Sequence, residues 1–137
     1  MSGNTGFKPR EICGVLNISQ TTFQYWRKHL YPNEQESYYS GYDVFGFFLI
    51  KEIIENGEIP VQKLAKVNAK KIFDHCDTSE LDSLVDETLV IDLRANSLEF
   101  FKKKSEWSNK SWAILHIDLG PLYREYTQYF MSFGKKH

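Results

Sequence analysis

Residues 7–30 read FKPREICGVLNISQTTFQYWRKHL, and this stretch decides how the chain begins to fold. Its first apolar residues recur at the spacing of one face of a short helix, at Ile12, Val15 and Leu16. Ser19 is a typical N-cap residue, so a second helix is predicted from about residue 20 to residue 30. Two short helices joined by a turn of three or four residues form a helix-turn-helix.

The second helix has a polar face and an apolar face. Its apolar residues, at helical spacing, are Phe23, Trp26 and Leu30. Short polar side chains occupy its first turns, at Ser19, Gln20, Thr21, Thr22 and Gln24. Longer side chains able to reach a DNA backbone follow, at Tyr25, Arg27, Lys28 and His29. A helix that enters the major groove needs this distribution, although an ordinary surface helix shows the same spacing.

The rest of the chain predicts an α+β fold. Further helices are predicted over residues 44–56, from Pro60 to about residue 74, and from Leu122 onward. Runs of β-branched and apolar residues predict strands at 88–93, 98–101 and 112–119. We therefore expect four N-terminal helices, a small antiparallel β meander and a C-terminal helix, divided into domains of residues 1–76 and 77–137.

The charge balance excludes a protein that is basic over its whole surface. The 137 residues carry 17 Lys and Arg against 18 Asp and Glu, for a formal charge of −1. A local basic patch is compatible with that balance, because residues 7–30 contain a single acid, Glu11, and the cations Lys8, Arg10, Arg27 and Lys28. A second basic set is more simply a solvated helix face, and it consists of Lys63, Lys66, Lys70 and Lys71.

Motifs of catalysis, metal binding and membrane insertion are absent from the sequence. It holds no glycine-rich phosphate loop, no HExxH and no GxSxG motif. Cys13 and Cys76 belong to no CxxC pair, and the histidines have no ligand partners at short spacing. No apolar run approaches the roughly 18 residues of a membrane span. We expect no enzyme activity, no metal or other cofactor, no membrane partner and a cytoplasmic location.

The N-terminal half resembles the winged helix-turn-helix domain that opens MerR-type transcription regulators. Ile18-Ser19 fits that family's turn, and Thr22-Phe23-Gln24-Tyr25-Trp26 is similar to the core of its recognition helix. Tyr38-Tyr39-Ser40-Gly41-Tyr42-Asp43-Val44 resembles the exit of its wing, and residues 50–57 with Ile59 and Leu64 resemble its second helix pair. The resemblance covers about residues 7–72, and phage excisionases, terminase small subunits and plasmid regulators share this domain.

The resemblance implies how this domain would meet DNA. The helix at 19–29 would enter a major groove, the loop at 31–39 would be a wing, and a dimer would read the site. The positions carried over from the family are Ser19, Thr21, Thr22, Gln24, Tyr25 and Lys28. With the neighbouring polar and basic residues, the predicted DNA-binding set is Lys8, Arg10, Ser19, Gln20, Thr21, Thr22, Gln24, Tyr25, Arg27 and Lys28.

The sequence also departs from the family pattern. The family often has arginine where this chain has Thr21 and Gln24, and basic wing residues where this chain has Glu34 and Glu36. Because counterion release from phosphates supplies much of DNA affinity, we expect weaker binding that depends more on a dimer. After residue 72 the chain has neither the long coiled-coil helix nor the metal-binding cysteines of MerR-type proteins.

The final helix carries large apolar residues at Leu122, Tyr126, Tyr129, Phe130 and Phe133. They are most simply core residues, and a dimer interface is the other interpretation, since aromatic residues are enriched at interfaces. The sequence thus predicts a dimeric, sequence-specific transcription regulator that binds double-stranded DNA, with no small-molecule effector indicated. The alternatives are a phage or mobile-element architectural factor of the excisionase or packaging type, and a protein-interaction module that has lost DNA binding.

Overall fold

The fold is α+β, as the sequence predicts. The computed structural model describes residues 6–32, 38–78, 81–102 and 114–135, with side chains except at 81, 82, 114 and 129–135. Its α-helices are α1 (Pro9–Leu16), α2 (Gln20–Leu30), α3 (Gly41–Glu55), α4 (Val61–Lys66), α5 (Lys70–Thr78) and α6 (Leu119–Lys135). A 3₁₀ helix spans Leu81–Asp86, and the strands are β1 (Glu87–Asp92), β2 (Ser97–Lys102) and β3 (Ile114–Asp118).

The predicted pair of short helices at the N-terminus is confirmed as α1 and α2. Pro9 opens α1, and Asn17 ends it in the left-handed conformation, with φ 58°. The predicted N-cap of α2 is also confirmed, because the Ser19 hydroxyl accepts a 3.0 Å hydrogen bond from the Thr22 amide. A turn of residues 17–19 therefore joins the two helices, which pack against each other.

Helix α3 lies at the centre of the molecule. Ser40 and Asp43 form a capping box, so the helix begins at Gly41, earlier than the expected residue 44. Residues 44–50 are all buried, which is the pattern of a helix covered on every side. The neighbours of α3 accordingly come from both halves of the chain.

One aromatic cluster joins α3 to α2 and α5. The ring of Phe47 has its centroid 4.9 Å from that of Phe23 in α2 and 4.8 Å from that of Phe73 in α5. The rings of Tyr31 and Tyr39 lie 5.5 and 6.0 Å away, on the residues that follow α2 and precede α3. Such ring pairs add stabilisation beyond the area that they bury.

The single helix predicted from Pro60 to about residue 74 is wrong, because the structure has two helices there. Helix α4 ends at Lys66 and α5 begins at Lys70. Between them Asn68 has a φ of 60°, in the left-handed region. A residue in that conformation cannot continue a right-handed helix, and asparagine is among the side chains that tolerate it.

The predicted β meander is also wrong in its strand order, which is β2-β1-β3. The hairpin of β1 and β2 is as expected, with Asp92 opposite Ser97, but β3 pairs with β1 and places Asp118 opposite Thr88. Strand β1 is buried along nearly its whole length, whereas β2 exposes Glu99 and its terminal residue. The more buried strand of this pair is thus the central strand of the sheet.

Helix α6 packs the C-terminal half onto α3. The helix begins at Leu119, earlier than the expected Leu122, and Pro121 lies in its first turn, where a missing N–H costs no hydrogen bond. Tyr126 donates a 3.0 Å hydrogen bond to the Gly41 carbonyl, and its ring lies 5.0 Å from that of Phe45. Buried residues of both halves thus form one core, and the domain division at 76/77, which α5 crosses, stays a prediction.

Gly46 allows α5 to approach α3 closely, and this contact yields a stability prediction. A Cβ added there would lie 2.6 Å from Cδ1 of Phe73, whose ring is buried. Overpacking costs about 1–3 kcal/mol, more than the roughly 1 kcal/mol that alanine gains over glycine in a helix. We expect Gly46→Ala to lower the free energy of unfolding in urea by up to about 2 kcal/mol.

The matched control is Gly14→Ala, at an exposed position of α1. There only helix propensity acts, so the free energy of unfolding should rise by about 0.5–1 kcal/mol. If the two variants change stability in the same direction, the close approach of Phe73 to Gly46 is wrong.

Candidate nucleic-acid interface

Helix α2 presents one polar face to solvent. Its apolar residues are buried in the core, with Phe23 0%, Trp26 4% and Leu30 1% exposed. On the opposite side, exposed residues at helical spacing form what we call the α2 face: Gln20, Thr21, Gln24, Tyr25 and Lys28. The core therefore fixes the rotation of α2 and decides which of the predicted DNA-binding residues are accessible.

Two of the predicted DNA-binding residues are engaged at the start of α2. The Ser19 hydroxyl accepts a hydrogen bond from the Thr22 amide and donates one of 3.0 Å to the Thr22 hydroxyl. Thr22 is half-buried, unlike Thr21 beside it. Ser19 and Thr22 thus hold the N-terminal turn in place, while the neighbouring polar residues face solvent.

The C-terminal part of the α2 face is held by contacts within α2 and with α4. Arg27 is half-buried, and its Nε donates a 3.3 Å hydrogen bond to Oε1 of Gln24. The Tyr25 ring lies 4.6 Å from that of His29, and its hydroxyl accepts a 3.2 Å hydrogen bond from Nε2 of Gln62. Sequence reasoning missed Gln62, an exposed residue of α4 with no distinguishing motif around it.

Lys8 and Arg10 lie apart from the other predicted DNA-binding residues. Both are exposed, and they lie at the start of α1, while the turn to α2 follows its end. The 8 residues of α1 separate the two ends by about 12 Å along the helix axis. Glu11 lies beside them, and its carboxylate accepts a 2.9 Å hydrogen bond from the Lys8 amide. The structure therefore does not bring these cations to the N-terminal turn of α2.

The predicted wing falls mostly outside the described residues, since 33–37 are not among them. At its end, Tyr39 and Phe7 form an isolated antiparallel bridge with backbone hydrogen bonds of 2.7 and 2.8 Å. This bridge joins the residues before α1 to those before α3. The assignment of a wing to residues 31–39 stays a prediction.

Two contacts hold the turn between α1 and α2. The ammonium of Lys51 in α3 donates a 2.7 Å hydrogen bond to the carbonyl of Leu16, at the last residue of α1. The Cys13 thiol donates to the carbonyl of Ser19 over 3.7 Å. Burial raises the pKa of Cys13, so this thiol stays protonated as the bond requires. The charge of Lys51, placed at the C-terminus of α1, also interacts favourably with the dipole of that helix.

Asp43 fixes the position of α2 relative to α3. Its Oδ2 accepts a 3.0 Å hydrogen bond from the Tyr31 hydroxyl and one of 3.1 Å from the Ser40 amide. Burial is the main influence on this group and raises the pKa of Asp43, while the hydrogen bonds act in the opposite direction. The residue that follows α2 is therefore tied to the first turn of α3.

The proposed dimer residues divide into two groups. Leu122 and Tyr126 are 6% and 2% exposed and belong to the core of this single chain. They therefore offer no surface to a second subunit in this arrangement. The side chains of Tyr129, Phe130 and Phe133 lie outside the described set, so their part in a dimer stays a prediction.

Open clefts of about 420 and 370 Å³ lie among the described residues between 71 and 121. The smaller one includes His75, whose Nε2 lies 2.6 Å from Oε1 of the buried Glu87 and whose ring stacks on Phe100 at 3.9 Å. His75 thus connects α5 to the sheet. Among the described residues no group of three or more His, Cys, Asp or Glu is arranged to hold a metal ion.

Comparisons with known proteins give no relative from which to assign a function. No protein-family model, no curated protein and no solved structure matches the chain significantly. In the parts of the chain that the structure describes, no helix combines the length and the apolar character that a membrane span requires.

Lys51 supplies a test of how the turn is held. We expect Lys51→Met to lower the free energy of unfolding by about 1.5–3 kcal/mol, because a charged hydrogen bond to the end of α1 is lost and the carbonyl loses its partner. Urea unfolding measures this change. Lys70→Met, at an exposed position, is the control and should stay within about 0.5 kcal/mol of the wild type. Equal losses of stability in both variants would contradict the hydrogen bond from Lys51 to the Leu16 carbonyl.

Asp43 predicts a particular pH dependence of stability. Its folded pKa is raised, so the folded chain holds the proton more tightly than the unfolded chain, where the pKa is about 3.9. The contribution of Asp43 to stability is therefore greatest below the unfolded pKa and decreases as pH rises through the folded pKa. Relative to Asp43→Asn, which does not titrate, the wild type should lose stability between pH 3 and pH 7. Urea unfolding curves at several pH values in this range measure the difference in stability between the wild type and Asp43→Asn. A difference that does not change with pH would contradict the prediction.

Proposed function

We propose that this chain is a sequence-specific DNA-binding transcription regulator that reads the major groove with α2. The observation that carries the proposal is the α2 face, a solvent-exposed row of amide, hydroxyl and ammonium groups on a helix whose back is buried in the core. A preceding helix and a turn of residues 17–19 support it, as in a helix-turn-helix.

The side chains of the α2 face suit the reading of bases. An amide side chain such as that of Gln24 donates and accepts hydrogen bonds at once, and this matches the edge of adenine in the major groove. The Nε of Arg27 donates a 3.3 Å hydrogen bond to Oε1 of Gln24, which favours one orientation of this exposed amide. The hydroxyl of Thr21 and the amide of Gln20 lie on the same exposed side.

The cations of α2 lie in its last turn, at Arg27 and Lys28. Few phosphate contacts predict modest affinity for one subunit, so we propose that two subunits bind together on adjacent half-sites. The formal net charge of −1 also supports modest affinity for one subunit, since it gives no general electrostatic attraction to DNA.

The proposal predicts different effects for two residues of the α2 face. We expect Lys28→Ala to weaken binding to all DNA sequences alike and to make the slope of log affinity against log salt less negative by about 0.9. We expect Gln24→Ala to cost about 1–3 kcal/mol of discrimination at particular base positions. Fluorescence anisotropy on duplexes selected from a random pool, between 50 and 300 mM salt, measures both effects.

Lys71→Ala is the matched control, because the Lys71 ammonium bonds Glu99 on β2 at 2.7 Å. It should leave affinity and preference unchanged. Equal losses in Lys28→Ala and Gln24→Ala at every sequence would contradict reading by α2. Wild-type protein that binds no duplex at 50 mM salt would leave the protein-interaction module as the function, and strong bending of the selected duplex would favour the architectural factor.

A further inference from the structure

Helix α4 lies in a stretch of the sequence, residues 59–73, that is basic. Residues 59–73 contain four lysines and no aspartate or glutamate. Two of these lysines, Lys63 and Lys66, lie on α4 and are exposed. Neither pairs with a carboxylate within the part of the chain that the structure describes. Their charges are therefore available to a partner from outside.

The structure places α4 directly beside the α2 face. The hydrogen bond from Gln62 to Tyr25 joins the two helices, and buried Val61 and Leu64 hold α4 onto the core. Lys66 follows Gln62 by four positions, so it lies on the same side of α4, about 6 Å further along the axis. An ammonium group thus continues the surface that begins at Tyr25.

We propose that α4 is a second DNA-contacting element whose lysines, Lys63 and Lys66, bind the phosphate backbone beside the groove that α2 reads. This inference rests on the proposed function of α2. The α2 face itself is mostly neutral, with amides and hydroxyls in its first turns and a single exposed ammonium at Lys28. Phosphate contacts fix the register of a protein on the duplex, and lysine supplies them as a flexible point charge.

Lys71 distinguishes this arrangement from a general effect of charge. It belongs to the same basic segment, but its ammonium bonds Oε2 of Glu99 at 2.7 Å and so is directed to the sheet. A duplex on the α2 face and α4 would gain contacts from both Lys63 and Lys66 and none from Lys71.

The test compares K63Q/K66Q with K71Q in salt titrations of the affinity for a selected duplex. We expect the double variant to bind more weakly and its slope of log affinity against log salt to be less negative by about 1.8, or 0.9 for each phosphate contact. K71Q should keep the wild-type slope. Thermal unfolding of each variant verifies that it is folded, which is expected because Lys63 and Lys66 are exposed and Lys71 is partly exposed.

The outcomes separate this inference from the proposed function. A wild-type slope in K63Q/K66Q, together with salt-dependent binding by the wild type, overturns the role of α4 and leaves the role of α2 intact. An equal reduction in K71Q also overturns it, because the effect would then follow net charge alone. Absence of salt-dependent binding by the wild type removes the proposed function and this inference with it.

Discussion

The ring of Phe47 is the contact on which the position of α2 depends. It lies against Phe23 of α2 and Phe73 of α5, and against the tyrosines that follow α2 and precede α3. Because α3 is covered on its other side by Tyr126 of α6, this ring cannot shift without disturbing helices from both halves of the chain. The packing around Phe47 thus decides which side of α2 is buried and, with it, which side faces solvent.

Much of this fold could be predicted from local sequence signals. Ser19 and Ser40 mark helix starts through hydrogen bonds to residues three positions away, and such short-range bonds depend on nearby residue types. Asn68 was missed because the apolar spacing of Leu64 and Ile72 continues across it as if one helix were present. Strand order was missed for a different reason, since the pairing of β1 with β3 joins segments far apart in sequence.

The candidate site shows the same division. The polar and apolar sides of α2 follow from its 3.6-residue period alone, so the exposure of Gln24 and the burial of Phe23 could be predicted. The contacts of Gln62 with Tyr25 and of Lys51 with Leu16 span 37 and 35 positions, and no local pattern indicates them. Tyr126 shows the limit of apolar spacing as a signal. The spacing predicts that this residue is buried, but it does not say whether the chain's own core or a second subunit covers it.

The separation of the two sides of α2 has an evolutionary consequence. Within 11 residues, the side chains that hold the fold and those that face solvent are different sets, and exposed substitutions rarely change stability by more than about 0.5 kcal/mol. Mutations at Gln20, Thr21 or Gln24 can therefore accumulate without threatening the scaffold. After gene duplication, two copies of this chain could diverge in the surface that α2 presents to solvent while the packing around Phe47 remains the same.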